Sequence, residues 1–134
     1  MNLYLVELTA ADWPASLAWY RDLGLAVELL DESNRYALLA AGPGRIALKA
    51  GAPCPGNARL IFCVPDLDAE LARLRQAGVT TAGPLRVSPE GYRAVRLIDP
   101  DGHGVELFEW ANPEPGSDHV TRYDPRVLRP ATAT

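Results

Sequence analysis

Residues 8–25, LTAADWPASLAWYRDLGL, align without a gap on residues 62–79, FCVPDLDAELARLRQAGV, at a constant offset of 54 positions. Asp12 falls on Asp66, Leu17 on Leu71, Ala18 on Ala72, Arg21 on Arg75 and Gly24 on Gly78. Each copy runs from an apolar stretch into an aspartate whose carboxylate can accept from the first unbonded N–H groups of a helix. About ten helix-compatible residues and a glycine stop come next. Trp13, Leu17 and Tyr20 recur at i, i+4 and i+7, as do Leu67, Leu71 and Leu74. Each helix thus carries one apolar stripe that a sheet must cover.

The segments after the two helices are alike in kind. AVELLDE, RYALLAA and GRIALKA in the first half, and VSPEGYRAVRLID and GVELFEW in the second, are β-compatible runs broken by Gly, Pro, Asp and Asn. Each half reads β-α-β-β-β. The expected fold class is α+β, with two βαβββ repeats forming a curved, mostly antiparallel eight-stranded sheet around a concave cavity. The modules are expected at about 1–50 and about 57–111, within one domain of residues 1–111. A ferredoxin-like sandwich with extra strands is the alternative arrangement. Residues 112–134, ending the chain after Ala111 with NPEPGSDHVTRYDPRVLRPATAT, are too rich in proline for a regular helix and too polar for a core. An extended tail is expected there, either disordered or strapped across a partner subunit.

Charge and composition narrow the function classes. The 134 residues suffice for one domain with a real core. A formal charge of −4 without any Lys/Arg cluster argues against a nucleic-acid partner, and no apolar run approaches a bilayer span. The N-terminus has no basic n-region and carries Glu7 inside its apolar stretch, so it does not read as a signal peptide. A cytoplasmic protein acting on small molecules or proteins is expected. Cys54 and Cys63 read as reduced thiols, Cys63 as a small buried hydrophobe on a strand. Trp13, Trp19 and Tyr20, at helical spacing, read as core and interface.

The pattern Asp12-x-x-x-Ser16-Leu17-Ala18-x-Tyr20-x-x-Leu23-Gly24-Leu25, with Asp99-Pro100-Asp101-Gly102-x-x-x-Glu106-Leu107 near the end, resembles the vicinal oxygen chelate superfamily. That superfamily includes glyoxalase I, extradiol dioxygenases, methylmalonyl-CoA epimerase, fosfomycin-modifying enzymes and bleomycin-binding resistance proteins. The resemblance covers roughly residues 1–111. It implies homodimers and a divalent metal in the concave face, held by His on the first strand, Glu, Gln or His on the fourth, His on the fifth and Glu on the eighth. Carried over, those positions are Leu5, Ala47, Arg59 and Glu106. Leucine and alanine have no lone pair, and arginine is protonated and repels a dication, so no metal cofactor is expected. The alternative is a divalent ion (Mg, Mn, Zn or Ni), held for example by Glu7 and Glu106 through water. His103 reads as an exposed turn residue, and His119 lies in the tail.

Strand alternation instead puts charges on the cavity face. Glu7, Lys49 beside Ala47, Arg59 with Ile61, and Glu106 with Phe108 and Trp110 are expected there. Arg59 is expected in the metal's place, paired with Glu106, because a buried carboxylate needs a cation to stay ionised. The first functional reading is a glyoxalase- or bleomycin-resistance-like protein that binds a small organic molecule without metal. The second is a glyoxalase-like lyase or isomerase, in which Glu106 or Glu7 takes a proton from a carbon acid and Arg59 or Lys49 stabilises the enolate. A third makes the cavity vestigial and the protein a partner-binding one.

Overall fold

The computed structural model describes residues 3–56 and 59–111. The tail expected at 112–134 lies outside the described residues. The order is β1 (Val6–Ala10), α1 (Trp13–Leu23), β2 (Ala26–Asp31), β3 (Tyr36–Ala41), β4 (Gly44–Ala50), β5 (Arg59–Cys63), α2 (Leu67–Gln76), β6 (Arg86–Ser88), β7 (Tyr92–Ile98) and β8 (Gly104–Trp110). Each half is βαβββ. The eight strands form two four-stranded mixed sheets, β1-β4-β3-β2 and β5-β8-β7-β6, each with one parallel pair and two antiparallel ones. The return of β4 beside β1, and of β8 beside β5, leaves β1 and β5 as edge strands.

The repeat is repeated in atomic detail. Asp12 accepts a hydrogen bond from the Ala15 amide and Asp66 from the Ala69 amide, at 3.2 and 3.1 Å. These fill one orphan N–H at the head of each helix. Gly24 closes α1 in the left-handed conformation, at φ 118°, which a side chain would disfavour. The end of α1 is also held from the other half: Arg73 of α2 donates to the carbonyls of Asp22 and Leu23, at 2.9 and 2.6 Å.

One core serves both halves. Trp13, Leu17 and Tyr20 of α1 and Leu67 and Leu74 of α2 are buried in a single cluster with Leu39 and Leu48 of the first sheet and Val95, Leu97, Val105 and Leu107 of the second. Trp13 also donates its indole N–H to the Leu48 carbonyl, at 3.0 Å. The helical stripes therefore face the sheets, and the remaining faces of both sheets point away from this core.

A polar clasp joins α1 to the turn between β7 and β8. The Tyr20 hydroxyl donates to Asp99 Oδ2 and the Ser16 hydroxyl to Asp101 Oδ2, each at 2.7 Å, while the Ala11 amide donates to Asp101 Oδ1 at 2.9 Å. Burial, then the hydrogen bond and charge of Asp99, push the Tyr20 hydroxyl far above the usual tyrosine range. Tyr20 thus stays a donor. Above about pH 10 an unfolded tyrosine releases the proton that folded Tyr20 keeps, so the unfolded state binds fewer protons. Stability is present below that pH and falls as pH rises through it, by at most about 1.4 kcal/mol per pH unit. Urea midpoints between about pH 9 and about pH 11 check this: Tyr20→Phe should show a shallower decline than the parent.

Candidate functional site

Register assembles the face of the second sheet that points away from the core. Partners across a ladder share a face, and alternate residues oppose them. Opposite Val95, Leu97, Val105 and Leu107 therefore stand successive rows: Arg59 with Gly104 and Ile98, Ile61 with Glu106 and Arg96, Cys63 with Phe108, Ala94 and Arg86, and Trp110 with Tyr92 and Ser88. One end of this face is charged and the other aromatic.

Glu106 lies at the charged end, with its side chain only 8% exposed. Arg86 hydrogen-bonds its Oε1, and Arg59 Nη1 lies 4.0 Å from the same oxygen. The side chains of Arg59 and Arg86 are 42% and 47% exposed, so each guanidinium covers the carboxylate on one side and meets solvent on the other. Arg86 was not among the residues singled out from the sequence, nor was Arg96, which faces Glu106 directly across the β7–β8 ladder. β6 puts Arg86 opposite Ala94, a small and fully buried residue, one row from Glu106 on the same face.

Gly104 plays a similar part for Arg59. A Cβ at Gly104 would lie 2.9 Å from Arg59 Cγ and 3.3 Å from its Cδ, so the bare backbone lets the arginine chain lie over β8. Gly104→Ala should cost about 1–2 kcal/mol through this overlap. In an Arg59→Ala background the clash is gone, and urea unfolding should show close to no effect of the same substitution.

At the aromatic end, Tyr92, Phe108 and Trp110 pack edge to face, with ring centroids 5.4 to 5.9 Å apart. Phe108 and Trp110 are partly buried, and Ile61 is 54% exposed.

The other expected site residues are spread over β4 and the seam between β1 and β5. Leu5 lines a cavity of about 300 Å³ with Arg59 and Ile61. Glu7 is exposed and lines a separate cavity of about 250 Å³ with Arg59 and His103, in which Glu106 takes no part. Among the described residues no cation lies within ion-pair distance of Glu7 or anion within that of Lys49, which is exposed. Ala47 is fully buried, between Glu7 and Leu38 in the ladders, and so offers no surface. Cys63 is exposed, not a buried hydrophobe, because it sits on an edge strand with its side chain on the face away from the core.

A family model described as the Glyoxalase/Bleomycin resistance protein/Dioxygenase superfamily matches residues 3–107. The chain belongs to that superfamily. No curated protein sequence matches it. Among solved structures it is similar to a glyoxalase/bleomycin resistance protein from Catenulispora acidiphila, at 28% identity and a TM-score of 0.67, over 81% of this chain and 97% of that one. It is also similar to the fosfomycin resistance protein FosX of Listeria monocytogenes, at 17% identity and a TM-score of 0.68, over 81% and 93% of the two chains. A lactoylglutathione lyase from Agrobacterium tumefaciens gives 22% and 0.62, over 81% and 92%. The likenesses below 25% identity speak to the shared fold.

The metal that the superfamily resemblance implies does not fit the four carried-over positions. Leu5 and Ala47 bear no donor, and the remaining two are already joined, with Arg86 added to the pair. Two guanidiniums against Glu106 Oε1 would repel a dication approaching it.

A different cluster does bring metal-ligating side chains together, and it corrects the reading of His103. His103 is buried, and its Nδ1 lies 2.7 Å from Asp99 Oδ2. One ligand atom from each of Asp99, Asp101 and His103 lies within 4.8 Å of the other two. The i, i+2, i+4 spacing in DPDGH was the signal available in the sequence. The two aspartates are, however, occupied at every oxygen: Asp99 Oδ1 accepts from the amides of Asp101 and His103, and the other three oxygens take the contacts to His103, Ala11 and α1. An ion there would share these oxygens with the donors that fasten α1 to this turn. Among the described residues no helix is long and apolar enough to cross a membrane.

Proposed function

We propose that this chain binds a small organic molecule on the face of its second sheet that carries Glu106, with guanidinium groups standing where a metal would otherwise be. The observation that carries this reading is the buried Glu106 carboxylate, hydrogen-bonded by Arg86 and approached to 4.0 Å by Arg59. The guanidiniums bring positive charge to Glu106 Oε1, and the Tyr92–Phe108–Trp110 cluster beside it supplies apolar contact area for a ligand. The name of the Catenulispora relative, a glyoxalase/bleomycin resistance protein, agrees with a binding role in kind.

A lyase or isomerase acting by proton abstraction is the second reading. One observation favours it: Glu106 Oε2 accepts no hydrogen bond from the described residues. A thermal-shift screen of small organic compounds against chelator-treated protein tests the first reading. Compounds that raise the melting temperature in chelator, and lose that effect in Phe108→Ala, are expected. Compounds that act only after a divalent ion is restored, or that are insensitive to every substitution on this face, would count against it. A carbon acid that binds and exchanges its α-proton with solvent deuterium, in a manner dependent on Glu106, would favour the second.

A further inference from the structure

The charge on this face is lopsided. Arg59, Arg86 and Arg96 share this face with one carboxylate, three positive charges against a single negative one, on a chain whose formal charge is −4. Their hydrogen-bonding capacity is more lopsided still. A guanidinium carries five N–H donors in a planar fork. Of the three, only Arg86 donates to a described acceptor, and that acceptor is Glu106. Arg59 reaches no nearer than 4.0 Å to it, and Arg96, exposed, donates no side-chain hydrogen bond to a described residue. Glu106 therefore holds one arginine and lies near a second, yet most of their donors, and all of those of the Arg96 guanidinium, have no acceptor among the described residues.

Resting on the reading of this face as a small-molecule site, we infer that its ligand is an amphipathic organic anion with a planar carboxylate-type head. The head lies against Arg96 and Arg59, whose forks match two oxygens at once. The apolar or aromatic body lies along Ile61 and Phe108 toward Tyr92 and Trp110, which occupy the next rows of the same face. The separation is set by the strands: the arginine rows and the aromatic rows are adjacent on β7 and β8, so a molecule of two fused rings spans them at about 3.3 Å per residue. An ammonium head would meet net repulsion there, and a neutral amide would leave the guanidinium donors half-used.

Three probes of one shape test this by calorimetric titration into chelator-treated full-length protein: 2-naphthoate, 2-naphthamide and 2-naphthylmethylammonium. Naphthoate is expected to bind at least about tenfold more tightly than the amide, the factor of one charge-assisted hydrogen bond, with the ammonium weakest. Arg96→Met should weaken naphthoate by about tenfold and the amide by clearly less, narrowing the gap between them. Its melting temperature should match the parent's, because the Arg96 side chain holds no described residue in place. Equal affinity for all three heads, or a preference for the ammonium, would overturn the charge assignment and leave the binding face standing. Failure of every probe to bind would overturn both.

Discussion

Asp99→Ala is expected to lower the stability of this protein by about 3–5 kcal/mol, the range for breaking a buried, hydrogen-bonded charge network. The side chain of Asp99 is fully buried, and its two oxygens receive the Tyr20 hydroxyl, the His103 ring and the amides of Asp101 and His103, all between 2.7 and 2.9 Å. Alanine leaves these donors facing one another without an acceptor. Tyr20→Phe deletes one donor and leaves the acceptor satisfied by the rest, so its cost should stay near about 1–2 kcal/mol. Urea unfolding of the two variants checks the order. Equal small losses would mean that water replaces the carboxylate and that the clasp is not what joins α1 to the second sheet.

The second large effect is at Glu106. Replacing both Arg59 and Arg86 with Met should cost about 2–4 kcal/mol, because a carboxylate 8% exposed is left with no described cation within ion-pair distance. The figure is set below the full buried-pair range because the two guanidiniums are 42% and 47% exposed and water already reaches them. Glu106→Gln in the parent should cost less than about 1 kcal/mol, since the arginines it releases can hydrate. Adding Glu106→Leu to the double variant should then restore most of the loss, the signature of a charge stranded by its partners. Urea unfolding of this set reads the coupling directly, and a double variant as stable as the parent would show that Glu106 does not depend on its arginines.

Much of this architecture was legible because it is local. The offset of 54 carried the helices, and the caps at Asp12 and Asp66 follow from a side chain meeting an amide three residues on. The two parts of the superfamily pattern also find their reason in the fold, since Ser16 and Tyr20 bond to Asp101 and Asp99, about eighty positions away. Arg86 and Arg96 were not legible. Their facing depends on how β6 and β7 pair across the Pro89–Gly91 turn, and a slip of one residue would send both to the opposite side of the sheet. His103 was misread for a related reason. DGH reads as an exposed turn until α1 packs over it, and that contact comes from the other half of the chain. Ala47 was placed on the correct strand, but nothing local to GRIALKA reveals that it is fully covered.

We propose that guanidiniums, not a divalent ion, hold the Glu106 carboxylate. Calorimetric titration of Mn²⁺ and Zn²⁺ into chelator-stripped protein and its Glu106→Gln variant tests it most directly. The two proteins should give the same trace, with no uptake that depends on Glu106. Binding of one ion per chain by the parent, abolished in Glu106→Gln, would contradict the claim.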